Sequence, residues 1–377
     1  MKKLVLGVTA PGSVILLEGQ VDYFVSRGYD VFLMTQDDEV ARNFCIDEGC
    51  QFLPLKIKRD ISLFNDFYTL LQIVNYFASL KPDIVNVGTS KMGFLGIIAA
   101  YLTRVPYRIY TSRGLRFETE KGFKRFTLKL VLKIIGFMAH KVVCISEAIR
   151  ERAEGLNLFP SSKTRVIGYG SSNGINLHKF HLSKEIVSKS RIIRDESGLN
   201  GAFVFGFVGR LNNRKGINEL YHVFDRFSKR YRSKLILLGK IEHANLSDSS
   251  LIDKINAHPD ILYLGFRSDI PLYMTCMDTF ILPTWSEGFG TVFIQAAAMG
   301  VPVIGTRVSG VQNAVSENFN GFLTELKNQD DIYQKMERLY LDKELRQKFS
   351  QNGILWAQNF RQKVIWEGLF KIYNESR

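Results

Sequence analysis

Cysteine is scarce in this chain, with four in 377 residues (Cys45, Cys50, Cys144 and Cys276). Their spacing fits neither a zinc site nor a redox pair, so they read as free thiols in a reducing cytosol. Long hydrophobic runs are missing as well. No stretch of about 18 uncharged apolar residues occurs, which excludes a membrane-spanning helix. The opening MKKLVLGVTAPGSVILLEG resembles a signal peptide only superficially. Pro11-Gly12 interrupts its apolar run, Glu18 arrives early, and no small-residue cleavage site follows. A buried first strand ending in a loop is the expectation. Fixed-period repeats and low-complexity tracts are absent. So are the P-loop order G-x-x-x-x-G-K-[ST] and any G-x-G-x-x-G after a strand.

What is present is an ordinary globular composition, 46% hydrophobic and 23% charged. The length exceeds what one core usually supports, so two domains are expected. The net charge is +13 and unevenly placed. Between Arg104 and Lys133 stand nine basic and two acidic residues. Such an excess points to an anionic partner: nucleic acid, a phosphorylated substrate or an anionic membrane surface.

Short apolar runs alternate with helical patterns, the signature of parallel sheets covered by helices. Expected strands in the first half are KKLVLGV, YDVFLMT, DIVNVG, RIYTS, KVVCIS and TRVIGYG. Helical segments between them include ILLEGQVDYFVSRG, FNDFYTLLQIVNYFASL and GFLGIIAAYLT. The polar stretch 178–200 reads as a linker carrying a helix. Alternation then restarts with FVFGFVG, KLILLG, ILYLG, TFILP and VPVIGT. The fold class is therefore α/β, with two doubly wound units joined near residue 180. The boundaries fall at 1–178 and 179–360, with a terminal helix at 361–377 that can pack on either unit. Open α/β sheets bind ligands at the carboxyl ends of their strands, and two facing sheets create a cleft.

Two loops carry chemistry. GFVGRLNNRKGINEL (206–220) follows a strand and enters a helix. Gly209 lets the backbone turn, and Arg210 and Lys215 leave the same loop. Cations beside a helix start make a phosphate site, although a solvated basic turn has the same composition. PTWSEGFGTVFIQAAAMGVPVIGT (283–306) places Glu287 at a strand end, followed by Gly288, Phe289 and Gly290. The helix beginning near Thr291 ends at Gly300, with Pro302 as a stop signal. Gln295 lies on its first turns. A basic pair and an acid-plus-amide pair together suit a sugar attached to a diphosphate. Carboxylates accept hydrogen bonds from sugar hydroxyls, and Arg and Lys compensate phosphate charge.

With these motifs in order, residues 203–323 resemble the retaining glycosyltransferases of family 4, which have the GT-B fold of two Rossmann-like domains facing across a cleft. The pieces GRLNNRKG, KLILLG, YLGFRSDIPLYMTCMDTFILPTWSEGFGTVFIQAAAMGVPVIGTRVSG and ENFNGFL carry the likeness. The first half resembles the family's polysaccharide and O-antigen branch through KPDIVNVGTSKMGFLGIIAAYLTRVPYRIYTSRGLR, and SNGINLHKF matches its interdomain segment.

The resemblance implies roles position by position. Arg210 and Lys215 match the residues that hold the nucleotide diphosphate and stabilise its departing charge. Glu287 matches the first acid of the E-x7-E motif, which contacts donor-sugar hydroxyls. Gly288, Phe289 and Gly290 match the loop around sugar and phosphates. Gln295 stands where relatives carry the second acid, which commonly binds the ribose. An amide can still hydrogen-bond a ribose hydroxyl, but no catalytic carboxylate stands there. The glycine-rich first loop is reduced to APGS, with Gly12 as its equivalent, and no histidine accompanies the VGTSKMG segment. Lys91, Arg113, Gly114, Arg116 and Asn173 are the acceptor-side candidates, with sheet-end or surface cations as the alternative reading. No metal and no cofactor are expected, only the nucleotide diphosphate sugar as donor, with a UDP-sugar first in line.

The segment EKGFKRFTLKLVLKIIGFMAHK (120–141) is a basic amphipathic helix. Phe123, Phe126, Leu130, Ile134 and Phe137 recur at helical spacing, and Lys121, Lys124, Arg125, Lys129 and Lys133 fill the intervening positions. This pattern suits the anionic inner face of a membrane, and it also suits a helix with its apolar face in a core. No nucleic-acid module appears. The expected activity is retaining, metal-independent sugar transfer to a lipid-linked saccharide acceptor in bacterial surface-polysaccharide synthesis, at the cytosolic membrane face. A GT-B-fold sugar-nucleotide epimerase and a non-catalytic binder of anionic polymer or membrane are the rivals.

Overall fold

The computed structural model describes residues 1–58 and 62–375. The chain divides into two units: Met1–Gly174 together with Gln362–Arg377, and Ile175–Arg361. Its last two residues lie outside the described range. Each unit is built on one parallel sheet. In the first, β1 (Lys2–Gly7), β2 (Tyr29–Gln36), β3 (Gln51–Leu55), β4 (Ile84–Gly88), β5 (Tyr107–Ser112), β6 (Lys141–Cys144) and β7 (Thr164–Arg165) align in the order β3-β2-β1-β4-β5-β6-β7. In the second, β8 (Phe203–Val208), β9 (Ser233–Leu238), β10 (Ile261–Gly265), β11 (Thr279–Leu282), β12 (Val303–Thr306) and β13 (Gly321–Thr324) align as β10-β9-β8-β11-β12-β13. The two orders are one pattern used twice, with a topological switch point between β1 and β4 and another between β8 and β11.

The central strands read as unbroken apolar runs because helices cover both faces. Leu4, Val5 and Leu6 of β1 and Phe280, Ile281 and Leu282 of β11 are essentially inaccessible. The N-terminal segment is thus a central strand, in register with β2 from Lys2↔Tyr29 to Gly7↔Met34. Side-chain caps start several helices. Asp38 accepts from Val40 N, Ser146 from Ile149 N and Ser183 from Ile186 N, which satisfies amides that the helix itself leaves unpaired.

Four expectations change. The helix expected over 15–28 is split at Gly19 (φ 73), where a Cβ would meet the Trp366 ring at 2.8 Å. Two edge strands, β3 and β13, had no recognisable run. β3 contains Pro54, which an edge tolerates, and β13 is only four residues long. The stretch expected as a linker is part of the second unit. Its helix Lys184–Glu196 buries Ser190, and Arg194 Nη1 donates to the Cys276 carbonyl at 2.7 Å. Its packed face is narrow, so its composition stayed polar.

The helix Gln362–Asn374 belongs to the first unit. Ile365, Leu369, Ile372 and Tyr373 join the same apolar cluster as Leu4, Val21 and Phe24. Its polar link is equally internal: Asn86 Nδ2 donates to the Tyr373 hydroxyl at 2.7 Å, and Thr111 Oγ1 donates to Asn86 Oδ1 at 2.8 Å. A buried amide so satisfied costs little. Leu369→Ala should therefore destabilise the first unit by about 2–5 kcal/mol. Chemical denaturation followed by fluorescence should show one early transition, and an unchanged curve would place the helix outside that core.

Candidate active site

The switch point between β8 and β11 gathers the strongest candidates from the sequence. Past β8 the chain runs through Gly209 and Arg210 to a short turn, Asn213–Lys215, capped by Asn212, whose Oδ1 accepts from Lys215 N at 3.0 Å. Past β11 it runs through Pro283 and Trp285 to Glu287. The two loops are sewn together by backbone. Trp285 N donates to the Arg214 carbonyl at 2.8 Å, and Thr284 Oγ1 donates to the same oxygen at 3.0 Å. Gly216 (φ 73) makes this approach possible, since a Cβ there would lie 2.0 Å from the Pro283 carbonyl oxygen.

Lys215 and Glu287 consequently meet as an ion pair, with Nζ donating to Oε1 and both side chains less than a fifth exposed. Arg210 is more open, at 53%, and pairs with Glu242. Around this centre, Gly290 (φ 77) begins the helix Thr291–Ala298, whose first amides are free to face a ligand. A Cβ on Gly290 would strike the Phe293 ring at 2.8 Å. Gly288 passes against the helix Ser309–Ala314, where a Cβ on Gly310 would fall 2.6 Å from the Gly288 carbonyl carbon. Gln295 is half-buried, and among the described residues its side-chain amide has no hydrogen-bond partner. It remains available to a ligand.

Two sequence expectations are corrected in this unit. The Phe289 ring is buried and packs against Phe360 with centroids 5.5 Å apart, so only its backbone faces the site. Gly209 is not the tight point of its loop, because a Cβ there would meet only ordinary contacts from 3.6 Å. The close approach belongs to Gly239, where a Cβ would lie 1.8 Å from the Gly209 carbonyl oxygen. Sequence reasoning missed three further residues. Glu219, only 7% exposed, accepts from Trp285 Nε1 at 3.1 Å, and Lys327 lies 3.6 Å from the centroid of the same indole. Glu242 holds Arg210. Lys327 and Glu242 fall outside the recognisable motifs, and Glu219 stands within 206–220 but past the cations that mark that stretch.

The remaining candidates lie in the first unit. Gly12 is exposed in the short turn Pro11–Leu17 after β1, in open space. Lys91 is paired with Asp66 at 2.7 Å and is only 11% exposed, which commits its charge to tying the helices Ser90–Leu102 and Leu63–Leu80 together. Arg113 is half-buried at the end of β5. Its Nε donates to Ser172 Oγ at 2.7 Å, and burial pushes the guanidinium down to about 10. Gly114 adopts φ 149 beside it, and Arg116 is exposed on the next turn. Asn173 uses both ends of its amide internally, donating to the Glu18 carbonyl at 2.8 Å and accepting from Trp366 Nε1 at 2.7 Å. That amide is structural.

The basic helix, Gly122–Met138, turns its predicted apolar stripe outward. Phe123 is 83% exposed, Phe126 65% and Phe137 73%, with Leu130 also exposed. The core contacts come instead from Leu132, Ile135 and Gly136. Lys121 is exposed beside the stripe, Lys124 pairs with Glu120 at 3.0 Å, and Arg125 and Lys129 lie over the Phe117 ring. The reading in which this stripe enters the core is therefore corrected. Leu63, Phe64 and Phe67 on the helix Leu63–Leu80 are also exposed, and both helices flank Ser90–Leu102. Among the described residues no helix is long and apolar enough to cross a membrane.

Residues 12–170 match the glycosyl transferase 4-like domain, and residues 189–356 match the glycosyl transferases group 1. A Staphylococcus aureus capsular polysaccharide biosynthesis glycosyltransferase, CapM, is 38% identical over 369 residues, spanning 97% of this chain and 95% of that protein. The chain is a family 4 glycosyltransferase with the GT-B fold. Its relatives include an Escherichia coli UDP-Gal:alpha-D-GlcNAc-diphosphoundecaprenol alpha-1,3-galactosyltransferase, 29% identical over 89% of this chain and 84% of the relative. Anabaena HepE, solved in complex with UDP, shares the fold at TM-score 0.83 and 19% identity, with both chains fully covered. For this glycosyltransferase the position of Gly216 carries a direct expectation. Gly216→Ala combines a strained φ with a backbone clash, at a cost of about 1–3 kcal/mol or more. Binding of nucleoside diphosphates, measured calorimetrically, should weaken. Wild-type binding would mean the loops do not need this approach.

Proposed function

We propose that this enzyme transfers a sugar from a nucleotide diphosphate sugar, with UDP as the nucleotide, to a lipid-linked saccharide in the assembly of a bacterial surface polysaccharide, keeping the anomeric configuration. The observation that carries the reading is the Lys215–Glu287 pair at the β8/β11 switch point, with Arg210 on the same loop. Departure of the diphosphate leaves positive charge on the sugar and negative charge on the phosphate. Arg210, Lys215 and the free amides at Thr291 are fixed in advance to receive the latter, and fixed charges lower a barrier without reorganising. Glu287 accepts hydrogen bonds from sugar hydroxyls and positions the donor. The family likeness supports retention, and no enzyme nucleophile is assigned. With two cations at the leaving group, the reaction proceeds without a metal.

The acceptor belongs to the first unit. Support for its class comes from the relatives, two of which are named for acceptors carried on diphosphoundecaprenol. The outward phenylalanines and flanking lysines of Gly122–Met138 suit an anionic lipid surface, where aromatic insertion and charge attraction add. The enzyme on this reading works as a peripheral protein on the inner face of the cytoplasmic membrane.

Lys215→Ala and Glu287→Ala should each lower kcat/KM for the donor by about a hundredfold or more. The assay is nucleoside diphosphate release across UDP-, GDP-, ADP- and dTDP-sugars with an undecaprenyl-diphosphate-linked saccharide. Full activity in either variant would remove the mechanism. Rapid epimerisation of a nucleotide sugar alone would replace transfer as the reaction, and an inverted anomer in the product would remove retention.

Replacing Lys121, Lys124 and Arg125 together with Glu should release the protein from vesicles rich in anionic lipid, since each basic residue near such a surface contributes about 1 kcal/mol. Flotation of wild type and variant checks this. Equal flotation of the two leaves the outward stripe without a lipid role.

A further inference from the structure

Arg210 has a single side-chain partner among the described residues, the carboxylate of Glu242, in the loop after β9. Glu242 accepts from Arg210 Nη1 at Oε1. At Oε2 it accepts from Asn212 Nδ2 at 2.6 Å and from Asn245 Nδ2 at 3.3 Å. Its backbone is fixed against the same loop: Leu211 N donates to the Lys240 carbonyl at 2.9 Å, and Glu242 N donates to the Leu211 carbonyl at 3.1 Å. The carboxylate is thus anchored by two asparagines and the main chain, with one oxygen left for the guanidinium. We infer that Glu242 is a positioning residue that presents Arg210 to the donor diphosphate. The inference rests on the donor-site reading above.

The physical case has three parts. Arg210 stands on a long, half-exposed stem, and an unrestrained arginine carries about 2 kcal/mol of rotamer entropy. Held before the ligand arrives, it loses less on binding. A guanidinium has five N–H donors, so the bond through Nη1 leaves others for phosphate oxygens. Finally, only a carboxylate suits the position, because Arg210, Asn212 and Asn245 all donate. An amide there would turn its own NH2 toward one of them. Burial pushes the Glu242 carboxyl up, but the hydrogen bonds from Asn212 and Arg210 outweigh it and hold the group below the usual carboxylate range. The charge is therefore present at neutral pH.

A negative charge beside a diphosphate site also repels the ligand, and the two effects have opposite signs. If Glu242 positions Arg210, removing its charge weakens nucleotide binding. If Glu242 only competes for Arg210, removal tightens it. The test measures dissociation constants for UDP, GDP, ADP and dTDP with the wild-type chain and with Glu242→Gln, Glu242→Asp, Arg210→Ala and the Arg210→Ala/Glu242→Gln double variant. For whichever nucleotide the wild type binds best, Glu242→Gln should weaken binding about tenfold, in line with loss of a hydrogen bond to a charged group. Glu242→Asp, which keeps the charge, should recover part of that loss. In the Arg210→Ala background the same Glu242→Gln change should cost less than about twofold, because the effect travels through Arg210. Unchanged or tighter binding by Glu242→Gln overturns the inference, as does an additive double variant, which would mark a general loop defect. Failure of the wild type to bind any of the four nucleotides overturns the donor reading itself, and the inference with it.

Discussion

The ion pair between Lys215 and Glu287 joins residues 72 positions apart, each at the end of a neighbouring strand. Neither charge could sit so shielded from water alone, because an unpaired buried ion is expensive. Pairing them settles that cost, and it fixes where both loops must run. The remaining features of the site serve that approach: the shared Arg214 carbonyl, the bare backbone at Gly216 and the left-handed start at Gly290. The site is therefore nearly neutral and already shaped. On the proposed reading, a donor meets groups that exchange one partner for another rather than groups that must first be gathered.

The same economy appears in the first unit, where conspicuous cations have internal duties. Lys91 answers Asp66, Arg113 leans on Ser172, and the Asn173 amide ties the loop after β1 to the terminal helix. The exposed aromatics of Gly122–Met138 have no such internal work. Large apolar side chains left outward beside lysines are the surface feature that the core does not explain.

How much of this was legible depended on how local the signal was. Buried parallel strands announce themselves as apolar runs, so both sheets, their alternation with helices and the β8 and β11 loops could be read directly. Two of the four edge strands could not, because β3 is interrupted by Pro54 and β13 is only four residues long, whereas TRVIGYG and ILYLG at the other two edges were legible. Arg210, Lys215 and Glu287 stood out because glycines and strand ends frame them. Glu219 and Glu242 did not. Each acts across the fold, on Trp285 and on Arg210, and a lone glutamate, whether early in a helix like Glu219 or in a loop like Glu242, carries no mark of what it will face. Phe289 shows the converse: a motif names a residue without saying whether side chain or backbone does the work. The amphipathic period of 122–138 gave the helix correctly, but periodicity alone does not say which face meets the core, and here Leu132 and Ile135 took that role.

The first unit draws part of its core from the last helix of the chain. Leu369 and Tyr373 fill space beside β1, a strand made long before that helix. A growing chain folds from its N-terminus at about 5–20 residues per second. For most of its translation this enzyme therefore carries an incomplete first core, with the apolar wall that Gln362–Asn374 will cover still open. The second unit, whose segments are contiguous, closes before that wall is covered. The unit translated first is the last to be finished, so a chain released too early would be expected to expose its oldest hydrophobic surface to chaperones and proteases.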